Sequence, residues 1–211
     1  MRFFKKLFGI NSGKKKELRS LTHPRDMVKG DLLKFKYLDI DDLSNKTFEV
    51  SQVNTYMYGN LFYPEFILKD DATNIIYMML EEDDGEICVA LSRKIRKSQI
   101  SDIISPDDIN AIKSKPVGLV VHVPSYPDAL DDWLVNTYKK VDDNIKGVFI
   151  HGDHRDQEGN NNKRECFISH ILEDGDGEHA LELEIYSTGE VELSVTVYCD
   201  LNDIDEMWPC N

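Results

Sequence analysis

Ala180-Leu181-Glu182-Leu183-Glu184-Ile185-Tyr186, then Ser187-Thr188-Gly189-Glu190, then Val191-Glu192-Leu193-Ser194-Val195-Thr196-Val197-Tyr198 decides the fold class of this chain. Successive side chains of a strand point to opposite faces, so each arm sorts its leucines, isoleucine and valines to one side and its glutamates, serine and threonine to the other. The four residues between the arms carry turn chemistry. The stretch reads as an antiparallel hairpin with an apolar face for a core and an acidic face for water.

The same pattern recurs upstream. Gly30 to Tyr37, Thr47 to Val53, the aromatic-rich Tyr56 to Tyr63, Glu65 to Lys69, Ile75 to Leu80 and Ile87 to Ser92 read as strands, separated by polar turns such as Asp70 to Asn74 and Glu81 to Glu86. Short strands at about ten-residue spacing predict an antiparallel sheet or small barrel. Val117 to Val123 reads as a buried strand, with His122 as a packed, hydrogen-bonded core residue. Gly147 to Ile150 and Glu165 to Leu172 follow as strands, and Ile204, Met207 and Trp208 are expected to pack back on the sheet. Asp131 to Val141 fits both a strand and a helix face; Val135, Asn136 and Thr137, poor helix formers, favour the strand.

Ser105-Pro106-Asp107-Asp108 breaks this rhythm with an N-cap, a proline at the first helical position and acidic residues in the first turn, predicting a short helix over Pro106 to Ser114. The expected fold is α+β and predominantly antiparallel β. Residues 1–26 form a basic amphipathic N-terminal segment and linker, 27–95 a first β module, 96–116 a helical connector and 117–211 a second β module. Periodicity leaves open whether the two β-rich parts make one domain or two.

Charge is distributed unevenly along the 211 residues. The net charge is −14, yet residues 1 to 19 hold seven basic side chains against Glu17 alone, so the remainder carries −20. A body that acidic excludes nucleic acid as its partner, because phosphate binding relies on clustered Lys and Arg. In the first ten residues Phe3, Phe4, Leu7 and Phe8 share one helical face beside Arg2, Lys5 and Lys6. Such a segment suits an anionic membrane surface or a protein partner. No apolar run is long enough to span a bilayer, and no secretory signal is legible. The four cysteines, without a C-x-x-C pair, read as reduced thiols of a cytoplasmic protein; Cys166 and Cys199 fall inside strands as small hydrophobes, and Cys210 is expected at the surface.

The densest ionisable cluster is His151-Gly152-Asp153-His154-Arg155, where the Gly147 to Ile150 strand ends. His151, Asp153 and His154, with His170 on a neighbouring strand, are the candidate ligands for a metal-dependent enzyme. A polar hairpin loop explains the same residues. Asp174 to Glu178 lacks the terminal bidentate glutamate of a calcium loop and reads as a tight turn. Tyr56, Tyr58, Phe62 and Tyr63 suit either sheet packing or a ligand pocket. With no Gly-rich phosphate loop, nucleophile elbow or dinucleotide fingerprint, no cofactor is expected.

The Phe-Phe-Lys-Lys-Leu-Phe-Gly start, Val28-Lys29-Gly30-Asp31, the Trp133 to Tyr138 segment leading into Gly147 and Arg155, and Gly189-Glu190-Val191-Glu192 before Ile204-Asp205-Glu206 together resemble the YjfK-like proteins, an uncharacterised bacterial family of about this length, and related domains of unknown function. The resemblance covers most of the chain. It implies an accessory role near membrane-associated stress or transport systems and carries over no catalytic residue. The functional expectation is a non-enzymatic, cytoplasmic interaction protein, peripheral to the inner membrane through its N-terminus, with a small metal-dependent enzyme as the alternative.

Overall fold

The hairpin forms as expected, as strands His179–Tyr186 and Val191–Asp200 with Leu183 opposite Leu193 and Glu184 opposite Glu192. Its turn is closed by Gly189 N donating to the Tyr186 carbonyl at 2.8 Å, and Gly189 takes a φ of +85° that only glycine adopts at little cost. The computed structural model describes residues 19–72, 74–83, 85–125, 127–155 and 163–210.

Among these residues eleven strands form one antiparallel sheet. They are β1 (Leu32–Phe35), β2 (Thr47–Tyr58), β3 (Leu61–Lys69), β4 (Ile75–Asp83), β5 (Glu86–Ile95), β6 (Val120–His122), β7 (Thr137–Ile150), β8 (Arg164–Glu173), β9 (His179–Tyr186), β10 (Val191–Asp200) and β11 (Ile204–Trp208). Their order is β11-β1-β2-β3-β4-β5-β10-β9-β8-β7-β6, and a further pairing of β2 with β7, Thr55 to Met57 against Ile150 to Val148, closes eight of them into a ring. Strands from both sides of the helical connector therefore share one sheet. β1 to β5 and β6 to β10 repeat the same pairing order, and they meet second strand to second strand (β2 with β7) and last to last (β5 with β10).

The apolar face turned away from the ring's centre builds the main core. Ile76, Met78, Val89, Leu91, Leu181, Leu183 and Val195 pack there with Ile103 of helix α1 (Ile100–Ile103), Ile112 of helix α2 (Pro106–Ser114) and Trp133. The expected α2 is present with its cap: Ser105 Oγ accepts from Asp108 N at 3.1 Å, and the Asp108 carboxylate accepts from Ser105 N at 3.2 Å. Its other end is closed by Lys140 of β7. The fully buried ammonium donates to the carbonyls of Ile112 (2.6 Å) and Lys115 (2.7 Å) and to Asp143 (2.6 Å), satisfying the free carbonyls of a helix terminus with positive charge.

Four local expectations are corrected. Asp128–Trp133 is a 3-10 helix, and the strand begins only at Thr137, continuing through Gly147 to Ile150 as one 14-residue element with register shifts near Asp142 and a positive φ at Asn144. Val117 to Val123 is no buried strand: only Val120–His122 pairs, at the end of the sheet, with Val117 and Val120 about half exposed. His122 is exposed, its Nδ1 3.2 Å from Thr137 Oγ1, because an end strand has a neighbour on one edge alone. Cys166 is exposed on β8, where it borders an open depression with Val148 and Ile168. The tail does pack back, as β11 against β1 with Ile204 and Met207 on the core, but Trp208 at its end stays exposed.

Candidate ligand-binding site

The strand registers carry one set of side chains all the way round the ring. Tyr56 faces Tyr63, Ile67 faces Tyr77, Tyr77 faces Ser92, Ser92 faces Thr196, Ser194 faces Glu182, and Glu184 faces Ser169. Tyr186 then faces Phe167, Phe167 faces Gly147, and Phe149 returns to Tyr56. Contacts between strands that are not neighbours show that this face points inward: Tyr56 on β2 donates to Glu184 on β9 at 3.4 Å, and Lys94 on β5 donates to Tyr56 Oη at 3.4 Å. The acidic face of the β9-β10 hairpin, expected in water, therefore lines the barrel, and Glu184 is only 5% exposed. Period-two alternation is blind to ring closure, which turns a solvent face into an interior.

One end of the barrel is filled. Lys94 Nζ lies 3.5 Å from Glu65 and 3.2 Å from Glu192, and sits over the rings of Tyr77 (4.8 Å) and Phe149 (5.5 Å). Glu65 also accepts from Asn54 at 3.0 Å, and Glu184 from Tyr186 at 2.7 Å. Tyr56, Phe149, Phe167 and Tyr186 cluster beside this network. Gly147 makes the floor possible: a Cβ there would stand 2.2 Å from the Phe167 ring, which lies directly on the β7 backbone. Burial alone would lower the Lys94 pKa, but the surrounding glutamates hold it above its ordinary value.

The other end is open. A cavity of about 350 Å³ is walled by Tyr58, Tyr63, Met79, Ala90, Ala180 and Tyr198, with Ser92, Ser169, Thr196 and Glu182 among its polar lining. Glu81, Glu82 and Arg25 stand at its mouth. Burial raises the Glu182 carboxyl, against the hydrogen bond it receives from Ser169 at 2.7 Å. Burial and then the Glu182 charge push Glu184 up to about 8. At the mouth, the surrounding protein and then the charge of Glu182 push Glu81 up to about 7. Tyr58 and Tyr198 are likewise held far above the usual phenol range, so they remain neutral donors. Eight-stranded barrels are just wide enough to hold packed side chains or one small ligand; this one does both, at opposite ends.

Tyr58 and Tyr63 thus line the cavity, Tyr56 belongs to the floor, and Phe62 lies on the other face, beside an open depression of about 620 Å³. Glu65, Glu81, Lys94, Glu182 and Glu184 were missed by sequence reasoning. Their signal was the company they keep: Tyr77, Tyr186 and Tyr198 share the polar faces of the same strands, and a fully solvated face has no need of so many large rings.

The His151 to Arg155 stretch is a clamp. Ile150 is fully buried, and the loop is stapled to β2 by Thr55 Oγ1 donating to the Gly152 carbonyl and accepting from His154 N, both at 2.9 Å. Arg155 pairs with Asp153, donates to the Arg25 and Met27 carbonyls and lies 5.5 Å from the Phe66 ring centre, tying residues 24–27 to the barrel mouth. His151 Nε2 is 3.3 Å from Glu165, and His154 Nε2 is 3.2 Å from the His151 carbonyl. His170 sits six residues along β8 from Arg164, roughly 20 Å at strand rise, buried on the outer face with Nδ1 2.9 Å from Asp143. The structure does not bring it to His151, Asp153 or His154. No group of three or more potential metal ligands occurs among the described residues. The Asp174 carboxylate accepts from Glu178 N at 3.0 Å and lies 3.1 Å from His179, the tight turn expected.

The membrane-contact candidates Arg2, Phe3, Phe4, Lys5, Lys6, Leu7 and Phe8 lie outside the described residues. No helix among the described residues is long and apolar enough to cross a membrane. No family model matches the chain. Comparisons with curated proteins and with solved structures also gave no match.

Proposed function

We propose that this chain is a non-enzymatic accessory protein that works by holding a small ligand in the open half of its barrel. The observation that carries the proposal is the division of the interior: a charge-paired, aromatic floor at one end and an unfilled, tyrosine-walled cavity at the other. A barrel that needed only stability would fill both ends, since protein interiors pack densely and each void forfeits contacts. Under the same proposal the protein is cytoplasmic, and its basic residues 1–19 contact a protein partner or an anionic membrane surface; the support is the +6 against −20 charge asymmetry of the sequence. The repeated pairing order of β1–β5 and β6–β10 supports residues 27–95 and 117–211 as two modules of one barrel joined by 96–116.

A thermal-shift survey of small cations, neutrals and anions on the full chain tests the ligand-holding role. Compounds that stabilise the protein should lose their effect in Ala90→Phe and Ala180→Leu, which fill the cavity. Stabilisation that survives both substitutions, or a survey in which no compound raises the melting temperature, overturns it.

A further inference from the structure

Two carboxyls face the cavity of about 350 Å³, Glu182 from its wall and Glu81 from its mouth; burial raises the proton affinity of both, and the Glu182 charge raises that of Glu81 further. Among the described residues neither forms an ion pair with a lysine or arginine. Lys94 is engaged with Glu65 and Glu192 at the filled end, and Arg25 stands at the rim. The remaining walls are tyrosine rings, a thioether and small aliphatic groups, with Ser92, Ser169 and Thr196 as hydroxyl donors or acceptors. We infer that the open half of the barrel is a site for a small organic cation, whose ammonium head meets Glu182 and Glu81 and whose carbon body lies against Tyr58, Tyr63 and Tyr198. This deepens the ligand-holding proposal above and rests on it.

The chemistry favours a cation over the other ligand classes on three counts. An ammonium group replaces the proton that the paired carboxyls otherwise need, and it donates charge-assisted hydrogen bonds to both. Tyrosine faces attract a cation through the ring quadrupole, most strongly where water is excluded. A neutral guest leaves the two carboxyls in mutual repulsion, and an anion adds to it. A bare metal ion would leave most of the aromatic wall unused, and too few oxygen, nitrogen or sulfur ligands converge to hold it. The volume lies near the lower end of the ~300–1,000 Å³ usual for ligand pockets, so the guest is a small amine, not a polymer.

A charge series on one carbon body tests this: benzylammonium, benzyl alcohol and benzoate, each titrated calorimetrically into the full chain at pH 7.5. Benzylammonium should bind about tenfold or more tightly than benzyl alcohol, and benzoate should not bind. Glu182→Gln and Glu81→Gln should each weaken benzylammonium and bring it toward the alcohol, while the control Glu206→Gln on β11 leaves it unchanged. If benzyl alcohol or benzoate binds as tightly as benzylammonium and the Ala90→Phe variant abolishes that binding, the cavity is a ligand site and the cation assignment is wrong. If none of the three binds, both the cation assignment and the ligand-holding proposal fall.

Discussion

The ammonium of Lys94 lies 3.5 Å from the carboxylate of Glu65, two strands away across the sheet, and this pair anchors the filled end of the barrel. Removing one member of such a pair leaves the other as an uncompensated charge in a poorly hydrated place. Lys94→Met should cost about 3 kcal/mol in denaturant unfolding. The double variant Lys94→Met, Glu65→Gln should recover much of that loss, because no unpaired charge remains on Glu65. Equal stability of the single and double variants would contradict the pairing.

Stability should fall as pH rises from 6.5 to 8.5. Glu184 and Glu81 titrate near 8 and 7 in the folded chain against an ordinary 4.5, so the folded state holds more protons than the unfolded state up to those values. Wherever the folded state binds more protons, raising the pH favours unfolding. The aspartates held low by their hydrogen bonds, Asp31 and Asp174 among them, act only near and below their ordinary 3.8. His170, kept neutral by burial and by the charge of Lys140, opposes the trend only below its ordinary 6.5. Urea midpoints across this interval should therefore decline, and Glu184→Gln should flatten the decline; a flat wild-type profile contradicts the interior placement of these carboxyls.

Gly147→Ala tests the floor. Its Cβ would overlap the Phe167 ring, so either the ring or the β7 backbone must move. Overpacking of this kind costs about 1–3 kcal/mol, and the companion Gly147→Ala, Phe167→Leu should recover part of it. A neutral Gly147→Ala would mean that the ring does not lie on the strand.

Arg155→Ala should release the segment that borders the cavity mouth. The lost charge-assisted bonds to the Arg25 and Met27 carbonyls are worth about 2 kcal/mol together, and amide exchange should rise at residues 25–31 while β9 and β10 stay protected. Unchanged exchange there would sink the clamp assignment.

Much of this architecture was legible in the chain. Alternation located the β9-β10 hairpin, and the Ser105-Pro106 cap located α2, because both signals are local and each has a steric or hydrogen-bonding cause. What alternation could not show was which polar faces meet water. Glu182, Glu184 and Glu192 look like solvent residues in every window, and only the pairing of Tyr56 with Phe149, residues ninety-three positions apart, encloses them. The opposite error occurred at Val120 and His122, where an apolar run at the sheet's end stays exposed. At His151 to Arg155 the clustered ionisable groups left a polar hairpin loop and a metal site both open, and no local reading could bring Arg155 to the backbone carbonyls of residues 25 and 27.

The central claim is that the open half of the barrel receives a small cation, and methyl NMR tests it most directly. Titrating benzylammonium into a chain labelled at alanine, isoleucine and methionine methyls should move the resonances of Ala90, Ala180, Ile145, Ile171 and Met79, which line the cavity, and leave Met207 on the distant β11 unmoved. Shifts confined to surface methyls, or none at all at saturating amine, would contradict it.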